Sequence, residues 1–183
     1  MELPSQILEN WCYEQESLEL FAKHYQTGET IPMEYVQKIR ESATFHEGMQ
    51  TLRQLSFGML DMAWHGSDPS GIADVKEFES NAFASTQLYP DTPKTCMSTS
   101  FSHIFQGGYS AGYYSYKWAE VLDADAFEYF KEEGIFNTKV ATAFKNHVLS
   151  QGGTQEPMDL YVKFRGKEPN PDALLRRAGL LSS

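Results

Sequence analysis

Apolar residues recur every three to four positions along most of the chain, and this spacing predicts an all-α helical bundle. PSQILENWCYEQ predicts a first helix with Ile7, Leu8, Trp11 and Cys12 as its apolar stripe. ESLELFAKHY predicts a second, with Leu18, Phe21 and Ala22 inward and Gly28 as its stop. PMEYVQKIRESATF puts Pro32 at the first helical position and Met33, Val36 and Ile39 on one face. HEGMQTLRQLSFGMLDMAWHG is the clearest helix. Met49, Leu52, Leu55, Met59 and Met62 form its stripe, which is expected to face the core, although such stripes also line adaptable binding surfaces.

Further along, GSDPSG reads as a loop and VKEFESNAFAS as a shorter helix. QLYPDTPKTCMSTS carries two prolines, several hydroxyl residues and no period, which predicts a long irregular connection. A tyrosine-rich helix follows, running to about Gly134. NTKVATAFKNHVLSQGG has Asn137 or Thr138 as cap and Gly152 as stop, and PMDLYVKFRG and NPDALLRRAGL complete the bundle. No repeat, low-complexity stretch or domain boundary stands out, so residues 1–183 read as a single all-helical segment.

Length and composition narrow the function. With 183 residues and a hydrophobic fraction of 41%, the chain can bury one core. No apolar run reaches the roughly 20 residues of a membrane span, and the amino terminus has no secretory pattern. Neither a membrane nor, with a net charge of −10, nucleic acid is an expected partner. Cys12 and Cys96 lie far apart, lack metal-ligand spacing and favour a reducing compartment, without excluding one disulfide.

Chemistry concentrates in GGYSAGYYSYKWAEVLDADAF. On a helical wheel Tyr109, Tyr113 and Tyr116 fall within an arc of about 60°, with Glu120 and Phe127 on the same side. Tyr114, Trp118, Val121 and Leu122 lie opposite and are expected to face the core. Amphipathic packing accounts for phenols about as well as function does. The preceding FSHIFQGGY tips the balance, because its glycine pair, Gly107 and Gly108, permits a hinge and a close approach to ligand. A phenol can donate a hydrogen bond to a developing oxyanion without adding charge to the resting site. The row of them suits peptide-bond cleavage and equally suits plain peptide binding.

Several long stretches resemble the carboxy-terminal part of the thimet oligopeptidase family of zinc metallopeptidases, most closely its bacterial oligopeptidase A branch. They are ELPSQILENWCYE, HYQTGE, GMQTLRQLSF, FSHIFQGGYSAGYYSYKWAEVLDADAF, EEGIFN, LSQGG, FRGKEP and DALLRRAGL, in the family's order along nearly the whole chain. The region from about Gly66 to Ser100 matches least.

The resemblance implies a zinc ion, short peptides as substrates and hydrolysis of internal bonds. In the family two histidines of an H-E-x-x-H helix and a later glutamate hold the zinc. That glutamate corresponds to Glu2 of MELPSQ, with Met1 where the family has valine. Glu2, Gln6 and Glu9 share one helical face, so Gln6 and Glu9 become polar neighbours of the ligand carboxylate. Alone, Glu2 reads as an acidic residue at a helix start. By resemblance Tyr113 and Tyr116 bind substrate and stabilise the tetrahedral intermediate, while His103, Gly107, Gly108 and Tyr109 form the flexible substrate-contacting loop.

One departure is decisive: no H-E-x-x-H occurs in the 183 residues. His24, His46, His65 and His147 read as surface or capping residues. The zinc dyad and the water-activating glutamate are therefore expected upstream, in a missing partner portion, and the chain alone is expected to be inactive. The alternative is a stand-alone module that binds peptides without cleaving them.

Overall fold

The computed structural model describes residues 2–181; Met1, Ser182 and Ser183, and with them the reading of Met1 in place of valine, lie outside the described residues. Ten α-helices and no strand occur among the described residues. The only β-type pairing there is one antiparallel bridge, Lys23 with Thr30. By its contacts the chain divides into two compact units, one ending at Phe45 and resuming at Ala119, the other running from His46 to Trp118.

The discontinuous unit begins with α1 (Leu3–Glu9), a tight 3-10 turn over Asn10–Tyr13, and α2 (Gln15–Phe21). The predicted single helix over PSQILENWCYEQ is thus two pieces. Leu3 and Ile7 are buried, whereas Leu8 and Cys12, expected in the stripe, are exposed. Leu8 lies about 100° around the helix from Ile7. Tightening the last turn brings Trp11 edge-on to Phe127 and Phe130, at ring centroid distances of 4.7 and 5.0 Å. α2 stops at Phe21, not near Gly28, because Ala22 leaves helical geometry with ψ at 67°. Gly28, at φ +74°, takes the left-handed position of the turn that follows. Phe21 is exposed.

α3 (Met33–Ala43) is preceded by Pro32 as its cap, and buries Val36 while leaving Ile39 exposed. α8 (Thr138–Phe144) takes Asn137 as its cap, the side chain accepting from Lys139 N–H at 2.9 Å. α8 loosens into a π turn over Lys145–Leu149 and so ends before Gly152. α9 (Pro157–Arg165) and α10 (Asp172–Arg177) close the unit. Its core gathers Leu3, Ile7, Ala126, Phe127, Phe130, Phe144 and Phe164.

Two buried carboxylates of this unit, Asp123 and Asp125, are fully paired. Asp123 is gripped by the Arg177 fork and accepts from Asn10 Nδ2 at 3.0 Å. Asp125 accepts from Tyr161 OH at 2.6 Å and Arg165 Nε at 3.2 Å. Burial, reinforced by that carboxylate, pushes the Tyr161 phenol far above its ordinary range, so it stays a donor.

The second unit begins with α4 (Glu47–His65), followed by α5 (Val75–Phe83), an irregular connection and α6 (Ser102–Gln106). α7 (Ser115–Glu133) starts in this unit and continues into the other. The predicted stripe of α4 is not its buried face. Met49, Leu55, Met59 and Met62 are exposed, while Phe57, Leu60 and Asp61 are buried and join a core with Phe101 and Ile104. α4 is apolar on two sides, and the side bearing the aromatic rings buries more area per residue.

A fully buried Glu79 on α5 organises the irregular connection. It accepts from Ser98 N–H at 2.6 Å, Ser98 Oγ at 2.8 Å and Lys76 Nζ at 3.0 Å. Burial alone would raise its pKa, but hydrogen bonds from Ser98, Lys76 and Met97 outweigh it and hold the carboxyl at about 2. The folded state therefore favours the ionised form. The resulting stability is complete above the unfolded value near 4.5 and is lost as pH falls from there through about 2. The difference amounts to roughly 3 kcal/mol. Urea midpoints followed by Trp64, whose Nε1 donates to Ser98 Oγ at 3.0 Å, are expected to fall across that window. Glu79→Gln is expected to flatten the dependence; equal slopes in both proteins would refute the assignment.

Candidate functional site

The tyrosine segment is a turn before it is a helix. α6 buries Ile104 behind the buried Phe101 and leaves His103 and Phe105 outward. The chain then passes close against α6: a Cβ on Gly107 would lie 3.0 Å from the His103 carbonyl oxygen. Gly108 follows at φ +77°. Tyr109 is irregular, 110–114 form a turn, and α7 begins only at Ser115. Tyr109 and Tyr113 therefore do not sit on the helical wheel assumed for them. Tyr114 and Trp118, expected in the core, are exposed.

The turn nevertheless brings the predicted residues together. Tyr109 stacks on Tyr116 with centroids 5.1 Å apart and planes at 23°. Tyr113 lies 5.1 Å from Tyr116. His103 is 6.2 Å from Tyr109 and 6.4 Å from Tyr113, ring to ring. Hence His103, Tyr109, Tyr113 and Tyr116 form one aromatic cluster, with Gly107 and Gly108 in the segment between its members.

Tyr113 is anchored from several sides. Its ring meets Phe57 edge-on at 5.7 Å and Phe101 at 5.0 Å, and its hydroxyl lies 3.5 Å from Gln54 Oε1. Burial first, then the neighbouring Tyr116, raises its pKa, against a smaller opposing effect of Arg53. At neutral pH Tyr113 is an uncharged donor.

The backbone of the turn is held by α4. Asp61 Oδ1 accepts from Ala111 N–H at 2.9 Å, and Oδ2 accepts from Tyr113 N–H at 2.9 Å. His65 Nδ1 donates to Asp61 Oδ1 at 2.8 Å. The sequence reading passed over Asp61, Gln54 and Arg53; His65, read as a surface or capping residue, is exposed and caps the end of α4 through the Asp61 carbonyl, 3.0 Å from its Nδ1, while also meeting the Asp61 carboxylate. One signal was available, an acidic residue within the aromatic face formed by Phe57, Leu60 and Trp64.

Gly108 has no neighbour within 4 Å of a built Cβ, so its requirement is conformational. Gly108→Ala is expected to destabilise this unit by about 1–2 kcal/mol through the left-handed φ alone. Urea unfolding followed by Trp64 measures it, and an unchanged midpoint would contradict it.

The predicted metal ligand belongs to the other unit. Glu2 caps α1, and Ser5 Oγ donates to its carbonyl at 2.8 Å and lies 3.4 Å from its Oε2. Gln6, half-buried, follows one turn on, its N–H donating to the Glu2 carbonyl at 3.0 Å, and Glu9, at the end of α1, is exposed. Among the described residues no three His, Cys, Asp or Glu side chains gather into a set able to hold a metal ion. Catalytic zinc takes three protein ligands, and the donors present do not fit that requirement by themselves.

Comparison with known proteins gives a consistent answer. The chain matches peptidase family M3 over residues 1–180. It is 46% identical to a protein of Arabidopsis thaliana described as probable cytosolic oligopeptidase A, an alignment covering 100% of the chain and 27% of that protein. Identity to oligopeptidase A of Escherichia coli is 44%, covering 98% of the chain and 27% of the relative. Dipeptidyl carboxypeptidase of Escherichia coli is 36% identical, with 98% and 27% covered. The chain thus spans 27% of the length of each of these relatives.

Proposed function

This chain belongs to peptidase family M3, and from that premise we propose that it is the carboxy-terminal part of a zinc-dependent oligopeptidase's catalytic region, acting on internal bonds of short peptides. The observation that carries the reading is the cluster of His103, Tyr109, Tyr113 and Tyr116, with Tyr113 held as a neutral donor. In this reading Tyr113 and Tyr116 donate hydrogen bonds to the oxyanion of the tetrahedral intermediate. Such donors act because they are already aimed where charge develops. His103 and Tyr109 hold the peptide, and Gly107 and Gly108 let their segment close on it.

Glu2 is the one metal ligand this chain supplies, with Gln6 and Glu9 beside it on α1; the remaining ligands come from outside these residues. The isolated chain accordingly has no peptidase activity. Cytoplasmic residence is part of the reading, supported by the free thiols of Cys12 and Cys96 and by the name of one relative. No helix among the described residues is long and apolar enough to cross a membrane.

A chimera tests this. Residues 1–180 replace the matching segment of Escherichia coli oligopeptidase A, and hydrolysis of an internally quenched short peptide is followed. The chimera is expected to cleave the peptide, and the chain alone is not. A folded, zinc-loaded chimera without activity would favour the stand-alone binding module instead.

A further inference from the structure

Asp61 is fully buried in the middle of an aromatic core, where a carboxylate persists only if its oxygens are satisfied. It finds two partners in the turn that carries Tyr113, the Ala111 and Tyr113 amides, and a third, His65 Nδ1, one turn on along its own helix. Hydrogen bonds to an ionised acceptor are the strong kind.

The turn needs such an anchor. Ala111 sits at φ 53°, a left-handed conformation that L side chains avoid. The turn's own backbone bonds are Gly112 N–H to Tyr109 O at 2.8 Å, Ser115 N–H to Gly112 O at 3.0 Å, Tyr116 N–H to Tyr113 O at 3.2 Å and Trp118 N–H to Tyr114 O at 3.1 Å, and Ser110 Oγ donates to the Ile104 carbonyl at 2.5 Å; none of them engages the Ala111 or Tyr113 N–H. The two amides Asp61 takes flank Gly112 and lie where the turn is most strained. One helix therefore fixes Tyr113 twice, through its ring on Phe57 and through its backbone on Asp61.

We infer that Asp61 is the positioning residue of the tyrosine cluster: its carboxylate holds the Ala111–Tyr113 backbone and so sets where the Tyr113 phenol stands, while His65 holds the carboxylate. The catalytic meaning of that placement rests on the oxyanion reading of Tyr113; the placement itself does not.

The test uses the full chain with ring-labelled tyrosine, read by NMR, with Tyr113 assigned from the Tyr113→Phe spectrum. Ring currents from Phe57, Phe101 and Tyr116 displace the Tyr113 ring resonances from those of free tyrosine. Asp61→Asn keeps one acceptor but turns an NH₂ toward the second amide. It is expected to move the resonances toward free tyrosine and to speed Tyr113 amide exchange tenfold or more. Asp125→Asn, which disturbs a buried carboxylate of the other unit, is expected to leave both unchanged. Adding Ala111→Gly to Asp61→Asn removes the cost of the left-handed φ, and recovery of at least half the displacement is expected.

Unchanged Tyr113 resonances and amide protection in folded Asp61→Asn would overturn the inference, as would equal changes in Asp125→Asn. Should Asp61→Asn fail to fold, the unsubstituted chain still decides. Ala111 and Tyr113 amides exchanging there as fast as in an unstructured peptide would overturn it, and protected amides would support it. None of these readouts needs peptide or metal. A chimera indifferent to Tyr113→Phe would end the oxyanion reading and leave the placement by Asp61 standing.

Discussion

Tyr113→Phe, made in the chimera with Escherichia coli oligopeptidase A, is expected to lower kcat by on the order of 10²–10³-fold while KM changes little. The substitution removes one oxygen and keeps the ring, so the contacts with Phe57 and Phe101 persist. What is lost is a donor that burial keeps protonated. A donor used only as charge develops affects kcat rather than ground-state binding. Tyr116→Phe serves as the comparison, since Tyr116 lies against both Tyr109 and Tyr113. Equal kcat in the parent chimera and Tyr113→Phe would move the oxyanion role elsewhere. A rise in KM alone would make Tyr113 a substrate contact.

The largest expected loss of stability is at Phe130. Its ring is buried among Trp11, Phe144 and Phe164, at centroid distances of 5.0, 6.0 and 6.1 Å. Phe130→Ala removes a large apolar side chain from surroundings contributed by three other segments, which relax only in part. A loss of about 3–5 kcal/mol follows. Urea unfolding followed by Trp11 fluorescence reads this unit directly, because the indole packs on Phe130 and donates from Nε1 to the Ile135 carbonyl at 3.1 Å. Phe136→Ala is the control, since Phe136 is exposed and its removal is expected to cost less than about 0.5 kcal/mol. Similar losses at both positions would mean that the core lies elsewhere.

Helices were legible in the sequence where one apolar face and a strong boundary coincide, as in α8 with Asn137 and α9 before Gly166. α4 was legible as a helix but not as to which side is buried. Its methionine row is longer in sequence, whereas Phe57, Leu60 and Trp64 offer larger apolar surfaces to the core. The tyrosine cluster was legible from its composition and from the family resemblance, yet the geometry assumed for it was a helix. The left-handed Gly108 and Ala111 make it a turn, and the stacking of Tyr109 on Tyr116 comes from that turn.

Buried carboxylates were the least legible part. Asp61 binds backbone 50 and 52 positions away, and Asp125 binds side chains 36 and 40 positions away. Local sequence offers no hint of such partners. Asp123 and Asp125, two positions apart on α7, carry no local mark of the burial they undergo.

The central claim is that this chain supplies one part of a peptidase site whose metal ligands lie mostly outside it. Calorimetric titration of the purified chain with zinc, alongside Glu2→Gln, tests it most directly. The account predicts weak or absent binding, the same in both proteins. Tight stoichiometric binding that disappears in Glu2→Gln would contradict it, because Glu2 would then have found its remaining ligands within this chain or a second copy of it.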